Sequence, residues 1–243
     1  MSRRNWGLAR RNMGLMYFTI TQPIMFVLLF AYVIGAIASD MGDWSQYFVP
    51  GVVAQSITFA AGATAVGISE DRRRGMTDRF RSMPIALTSI IIGRILFDTL
   101  RIAAVVGVTV ITGYVVGFSF RDGVASAVLF FAVSVLFGAA ISFLGAAVGV
   151  WASNTETAQA SLYSWMYPMT FISSALVVPD RFPPPLKFIA QNNPVSFLAD
   201  TLRALANGSD FSTPMWKTAV AALCLVVVFC PLSIRMLSRR MSR

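Results

Sequence analysis

Six stretches of this chain are apolar over about 20 residues, the length a helix needs to cross the hydrocarbon core of a bilayer. They cover residues 15–38, 47–69, 100–118, 124–152, 159–178 and 216–237. Few folds accept such stretches. In lipid each backbone donor and acceptor must be satisfied inside the segment, so each stretch reads as a helix. The chain is 56% hydrophobic and 13% charged, against roughly 45–50% and about 25% in soluble domains. Its apolar surface cannot be hidden in one small core. The expectation is an all-α membrane protein with six transmembrane helices, in a single domain covering 1–243.

Six spans put both termini on one side, and the basic residues say which. Arg3, Arg4, Arg10 and Arg11 precede the first span, and Arg235, Arg239, Arg240 and Arg243 end the chain. Arg72, Arg73, Arg74, Arg79, Arg81, Arg94 and Arg101 fall between the second span and the base of the third. The other face keeps Arg121, Arg181, Lys187, Arg203 and Lys217. The positive-inside rule then places both termini and the arginine-rich loop in the cytoplasm, and the expected location is a bacterial-type plasma membrane. The net charge of +9 serves orientation and anionic lipid, because the cations sit beside apolar spans; nucleic-acid binding is not expected. Trp6 and Leu8 interleave with the N-terminal arginines, so residues 1–14 read either as a helix in the head-group layer or as a basic tail. Ala36-Ile37-Ala38 resembles a leader cleavage site, but the apolar stretch ahead of it exceeds the 7–15 residues of a signal h-region, so the first span is read as retained.

The segment Glu70 to Pro84 concentrates charge that the chain avoids elsewhere: Arg72, Arg73, Arg74, Arg79 and Arg81 with Glu70, Asp71 and Asp78. It must face water, and it reads as a docking surface. A helix resuming after Pro84 and running to Phe118 would be about 50 Å long, well beyond the hydrocarbon core, so its first part projects into the cytoplasm. Arg94, Asp98 and Arg101 follow a four-then-three spacing that puts them on one helix face, where they can pair. They read as an ion-pair ladder on a stiff lever.

Residues 179–215 are too long for a turn and too apolar for a linker. Pro183, Pro184 and Pro185 forbid a helix at that point, whereas Asn193-Pro194 opens a short amphipathic helix that Asn207-Gly208 stops. Asp200 and Arg203 are expected to point away from its apolar face. The segment is either a re-entrant hairpin or a helix lying on the external surface.

Several chemistries are missing. Cys224 and Cys230 lie six apart in one apolar run, about 9 Å along a helix, and read as packing residues. There is no histidine, which removes the usual zinc ligand and the commonest general base. Lys187 and Lys217, the only lysines, follow Leu186 and Trp216, so no phosphate-cradling Gly-x-x-x-x-Gly-Lys-Ser/Thr loop exists. Asp122-Gly123 lacks the paired aspartates of a magnesium site. Acids within the spans are too scarce for a proton relay. Energy must come from another chain.

The basic N-terminal segment, the pattern Glu70-Asp71-x-x-x-Gly75-x-x-x-Arg79-x-Arg81-x-x-Pro84, and Asn193-Pro194 with Arg203-Ala204-Leu205 together resemble the type 2 permeases of ATP-binding cassette exporters. The nearest likeness is to the daunorubicin-resistance branch, and it covers nearly the whole chain. The resemblance implies a non-catalytic permease that pairs with a second copy or a homologous permease and docks two copies of a separate P-loop ATPase. It implies no cofactor in this chain, with ATP and Mg held by the partner. It makes Glu70, Asp71, Arg72, Arg73, Arg74, Gly75, Met76, Asp78, Arg79, Arg81 and Pro84 a cytoplasmic coupling helix between spans two and three. The importer form of such a loop has Glu-Ala-Ala, a glycine six residues after the Glu and a later Ile-x-Leu-Pro; here the glycine comes five after Glu70, and Thr88 follows Leu87. Import is the weaker reading.

Gln55, Ser56 and Thr58 in span two, with Ser161, Ser164, Tyr167 and Thr170 in span five, are the candidate substrate path. Helix packing is the competing use of such residues. The lack of charge along these faces favours an amphiphilic drug-like compound or a lipid as cargo. The alternatives are a permease for a polysaccharide or lipid-linked glycan, a membrane anchor that moves nothing, and a lipid enzyme for which no catalytic cluster is visible.

Overall fold

A computed structural model describes residues 13–37, 44–73 and 87–241, and among them the chain is all helix and turn. The helices are α1 (Met13–Ile37), α2 (Trp44–Arg73), α3 (Leu87–Val115), α4 (Gly123–Trp151), α5 (Thr155–Phe171), α6 (Pro184–Gln191), α7 (Pro194–Asn207) and α8 (Ser212–Met241), with a 3-10 turn at Pro179–Arg181. Residues 1–12 of the N-terminal segment 1–14 and residues 74–84 of the coupling segment 70–84 lie outside the described residues. Among the described residues, four stretches are long and apolar enough to cross a membrane: Trp44–Arg73, Ile92–Val115, Gly123–Trp151 and Ser212–Ser238. Helix α1 contains a shorter apolar stretch, Thr21–Val33. Large apolar side chains point outward, with Val124 80%, Tyr32 77% and Leu100 72% exposed. Such a surface suits lipid and not water.

Helix α2 is the hub, packed against α1, α3, α4, α5 and α7. Its small residues allow this. Added to Gly145 of α4, a Cβ would stand 2.3 Å from the Ala61 carbonyl oxygen, and one on Gly149 would stand 2.6 Å from that of Ala65. The backbones of α2 and α4 therefore touch along Ala61/Ala65 and Gly145/Gly149, a pair of small-x-x-x-small stripes. Without a strong hydrophobic drive in lipid, such close van der Waals contact holds helices together.

Three expectations are corrected. Helix α3 stops at Val115, short of Phe118, because Gly117 adopts a left-handed φ of 93°. The Phe118 N–H then returns to the Gly113 carbonyl at 2.9 Å and that of Gly117 to Tyr114 at 3.3 Å, the paired bonds of a Schellman stop. The fifth stretch is helical only to Phe171; its 17 residues span about 25 Å, less than the hydrocarbon core. The three prolines do not forbid a helix. Pro184 and Pro185 form the first turn of α6, where N–H groups have no intrahelical partner to lose. The predicted helix at Asn193-Pro194 forms as read, with Asn193 as N-cap and Gly208 as left-handed C-cap. It is buried in the bundle, with Val195, Leu198, Leu202 and Leu205 at most 1% exposed.

The α2–α4 contact has a measurable consequence. Gly145→Leu should destabilise the detergent-solubilised protein by roughly 1–3 kcal/mol through overpacking, read as a lower thermal midpoint. The same change at Gly107, where an added Cβ meets nothing within 4 Å, should leave the midpoint nearly unchanged.

Candidate functional site

The helices flanking the charged segment bring their ionisable residues together at one end of the bundle. Arg94 lies 3.3 Å from Asp71 and 3.2 Å from Asp98, and Arg101 lies 3.2 Å from the other Asp98 oxygen. Arg101 also donates to the Ala60 carbonyl at 3.2 Å. The ladder read at 94, 98 and 101 thus begins on α2 at Asp71, runs down α3 and returns to α2 at Ala60. Asp98 is wholly buried, and a carboxylate there is tolerable only between two guanidinium groups. Gly67 makes room for the ladder: a Cβ would stand 1.8 Å from an Arg94 guanidinium nitrogen.

Arg72 turns inward. It donates to the carbonyls of Gly149 (3.4 Å), Val150 (2.6 Å), Ala152 and Ser153 (3.3 Å). These belong to the end of α4 and the elbow that follows, where carbonyls have lost their helical partners and a cation meets the negative end of the helix dipole. Arg73 reaches the Thr155 hydroxyl at 3.3 Å, and Asn154 caps α5 by accepting from the Thr157 N–H. Four expected docking residues, Glu70, Asp71, Arg72 and Arg73, are described, as the last turn of α2. Arg74, Gly75, Met76, Asp78, Arg79, Arg81 and Pro84 lie outside the described residues.

At the opposite end a second guanidinium does similar work, against the expectation that it points outward. Arg203 donates from Nε to the Tyr47 carbonyl (3.0 Å), from Nη1 to Asp200 (3.0 Å), and from Nη2 to the carbonyls of Ser174 (2.6 Å) and Ala175 (2.8 Å). It stacks 3.7 Å from the centre of the Tyr47 ring, whose hydroxyl also donates to Ser174. Asn193 donates to the Met169 and Ile172 carbonyls at 2.6 and 2.9 Å. The end of α5 and the turn behind it are therefore capped from α7. Asp200 stays half exposed. The apolar spacing of 195–205 told where α7 lies, but a lone arginine on its polar side gave no sign that bare carbonyls waited there.

The candidate path divides. Gln55, Thr58 and Thr170 are closed inside the bundle, while Ser164 and Tyr167 face out and Ser56 and Ser161 are half-buried. Ser56, Thr58 and Ser164 donate to carbonyls four residues back, on Val52, Ala54 and Ala160, the packing use of a helix hydroxyl. Gly51 abuts Ala175 and Phe59 meets Tyr167, so the antiparallel register of α2 on α5 brings Gln55 level with Thr170. The Gln55 amide and the Thr170 hydroxyl have no hydrogen-bond partner among the described residues. Along α5, Tyr167 forms a ring ladder with Tyr163 (5.7 Å) and Phe171 (6.5 Å).

The sequence pattern described as ABC-2 type transporter matches residues 1–206. The chain is 30% identical over 218 residues to the daunorubicin resistance ABC transporter permease protein DrrB1 of Streptomyces coeruleorubidus, covering 89% of this chain and 77% of that one. It is 26% identical over 216 residues to the Probable doxorubicin resistance ABC transporter permease protein DrrC of Mycobacterium tuberculosis, covering 85% and 77%. To the doxorubicin resistance permease protein DrrB of that organism it is 27% identical over 251 residues, covering 95% and 87%.

Arg203→Ala should cost about 3 kcal/mol, because it strips partners from buried carbonyls. Arg203→Lys should recover only part of that, since an ammonium cannot fork across separate acceptors. Thermal unfolding, with amide exchange across 172–178 rising in both variants, checks this.

Proposed function

The chain belongs to the ABC-2 type transporter family, and from that premise we propose that it is the membrane subunit of an ATP-driven exporter. It pairs with a second permease, the same chain or a homologous one, and docks two copies of a separate P-loop ATPase on the cytoplasmic side of the plasma membrane. Helices α1 to α5 and α8 are its six spans, with both termini in the cytoplasm, and α6 and α7 form the external hairpin. Residues 1–14 are the interfacial segment and 70–84 the coupling segment. Hydrolysis of ATP belongs to the partner.

The observation that carries this reading is the tie between the two stems of the charged segment. Asp71 on α2 and Arg94 on α3 pair at 3.3 Å, and the ladder continues to the Ala60 carbonyl. A push on the segment would thus be delivered to two long helices at once, as a coupling element requires. Electrostatic docking through Arg79, Arg81 and Asp78 suits a cytoplasmic surface and gives specificity more than affinity. The cargo is an amphiphilic drug-like compound or a lipid. The relatives' names, daunorubicin and doxorubicin resistance, support it, as does the aromatic face of α5.

The test is purification. A tagged chain, gently solubilised from its own membrane, should bring down a P-loop ATPase in equal stoichiometry, identified by mass spectrometry. Arg79→Glu with Arg81→Glu should reduce that recovery at least tenfold while the permease remains membrane-inserted. A chain that emerges without a nucleotide-binding partner sinks the proposal and returns the anchor and membrane-enzyme readings.

A further inference from the structure

Helix α5 is held at both ends by groups that act on backbone carbonyls rather than by apolar packing alone. At its exit Asn193 and Arg203 take the carbonyls of Met169, Ile172, Ser174 and Ala175. At its entrance Arg72 takes those of Gly149, Val150, Ala152 and Ser153, the elbow through which α4 becomes α5. Between these points α5 carries Ser164 and Tyr167 on its outer face and closes Thr170 inside. The two clamps differ in kind. The exit clamp joins α5 to neighbours at the same end, whereas the entrance clamp joins it to the final turn of α2, one residue after Asp71 and within the helical start of the charged segment.

We propose that Arg72 is a positioning residue for transport: it links the ATPase-docking segment to α5 by gripping the α4–α5 elbow, and is not itself an ATPase contact. The inference rests on the exporter reading and adds a route to it. A displacement of the helical start of the coupling segment reaches α3 through Asp71 and Arg94 and reaches the head of α5 through Arg72. The planar fork of arginine matters here. Its two terminal nitrogens address four carbonyls that lie on two sides of the elbow, a geometry that a lysine ammonium cannot copy while it keeps the charge. Arg73, which meets the Thr155 hydroxyl in the first turn of α5, lies along the same route.

The route separates two quantities that docking alone would move together, ATP hydrolysed and cargo moved. In the intact complex reconstituted in vesicles, Arg72→Lys should keep ATPase copurification and ATP hydrolysis within twofold of wild type. Transport per ATP should fall about tenfold. Asn154→Ala weakens the same elbow from the α5 side at an exposed cap, without touching α2, and should lower transport per ATP in the same direction. Arg79→Glu with Arg81→Glu should instead lose the ATPase. The proposal is overturned if Arg72→Lys transports as wild type does, or if it loses the ATPase with an unchanged thermal midpoint, which would make Arg72 a docking contact. Unchanged coupling in Asn154→Ala would likewise remove the elbow from the route. The exporter reading fails separately, if the wild-type chain copurifies with no ATPase.

Discussion

A backbone carbonyl without a donor is what this structure is built to avoid. In water such a group costs little, but inside an apolar bundle it must find a partner. The described helices solve the problem in two ways. Most carbonyls bond along their own helix, and the ends that fall inside the bundle are served by long side chains from elsewhere: Arg72 at the end of α4, Arg203 and Asn193 behind α5. Removing these groups would leave the helices intact and their junctions undefined. The junctions are also where function would enter, so the same arginines that complete the fold are placed to transmit movement.

The second constraint is steric. Helix α2 touches five others, and where it comes closest to one its contact positions are Ala61 and Ala65, which α4 answers with Gly145 and Gly149. Two backbones in contact behave as a single body. Helix α8 is the contrast, with only 11% of its apolar window buried; much of its surface is left to lipid. Motion within the bundle is therefore easier for elements that join the α2–α4 pair through side chains than for the pair itself.

Much of this was legible in the sequence. Apolar length placed the long helices, because the hydrocarbon core imposes one length on every segment that crosses it. The spacing of Arg94, Asp98 and Arg101 gave a shared face, since helix geometry is local. Asn193-Pro194 and Asn207-Gly208 bounded α7 for the same reason. What could not be read is what depends on contacts distant in sequence. Apolarity continues to Val178, but the fifth helix stops at Phe171, where carbonyls meet partners 20 to 30 residues further on. Arg203 reads as outward by periodicity because it lies opposite the apolar stripe of α7; once α7 is buried, its polar side is also inside. Arg72 read as one of a run of arginines, and its role as the cap of α4 depends on a residue 77 positions away. Pro184 and Pro185 were misjudged for a local reason, since proline is barred from helix interiors and welcome in the first turn.

The way α5 is closed off has a bearing on how the chain is made. The ribosome delivers α5 before α7, and at that moment the carbonyls of Ile172, Ser174 and Ala175 have neither Asn193 nor Arg203 to receive them. A short helix with bare acceptors at its C-terminal end has no settled position. It acquires one only when the later segment arrives and folds under it. The fifth helix is thus finished by chain synthesised after it, and the membrane must hold an incomplete protein open until then.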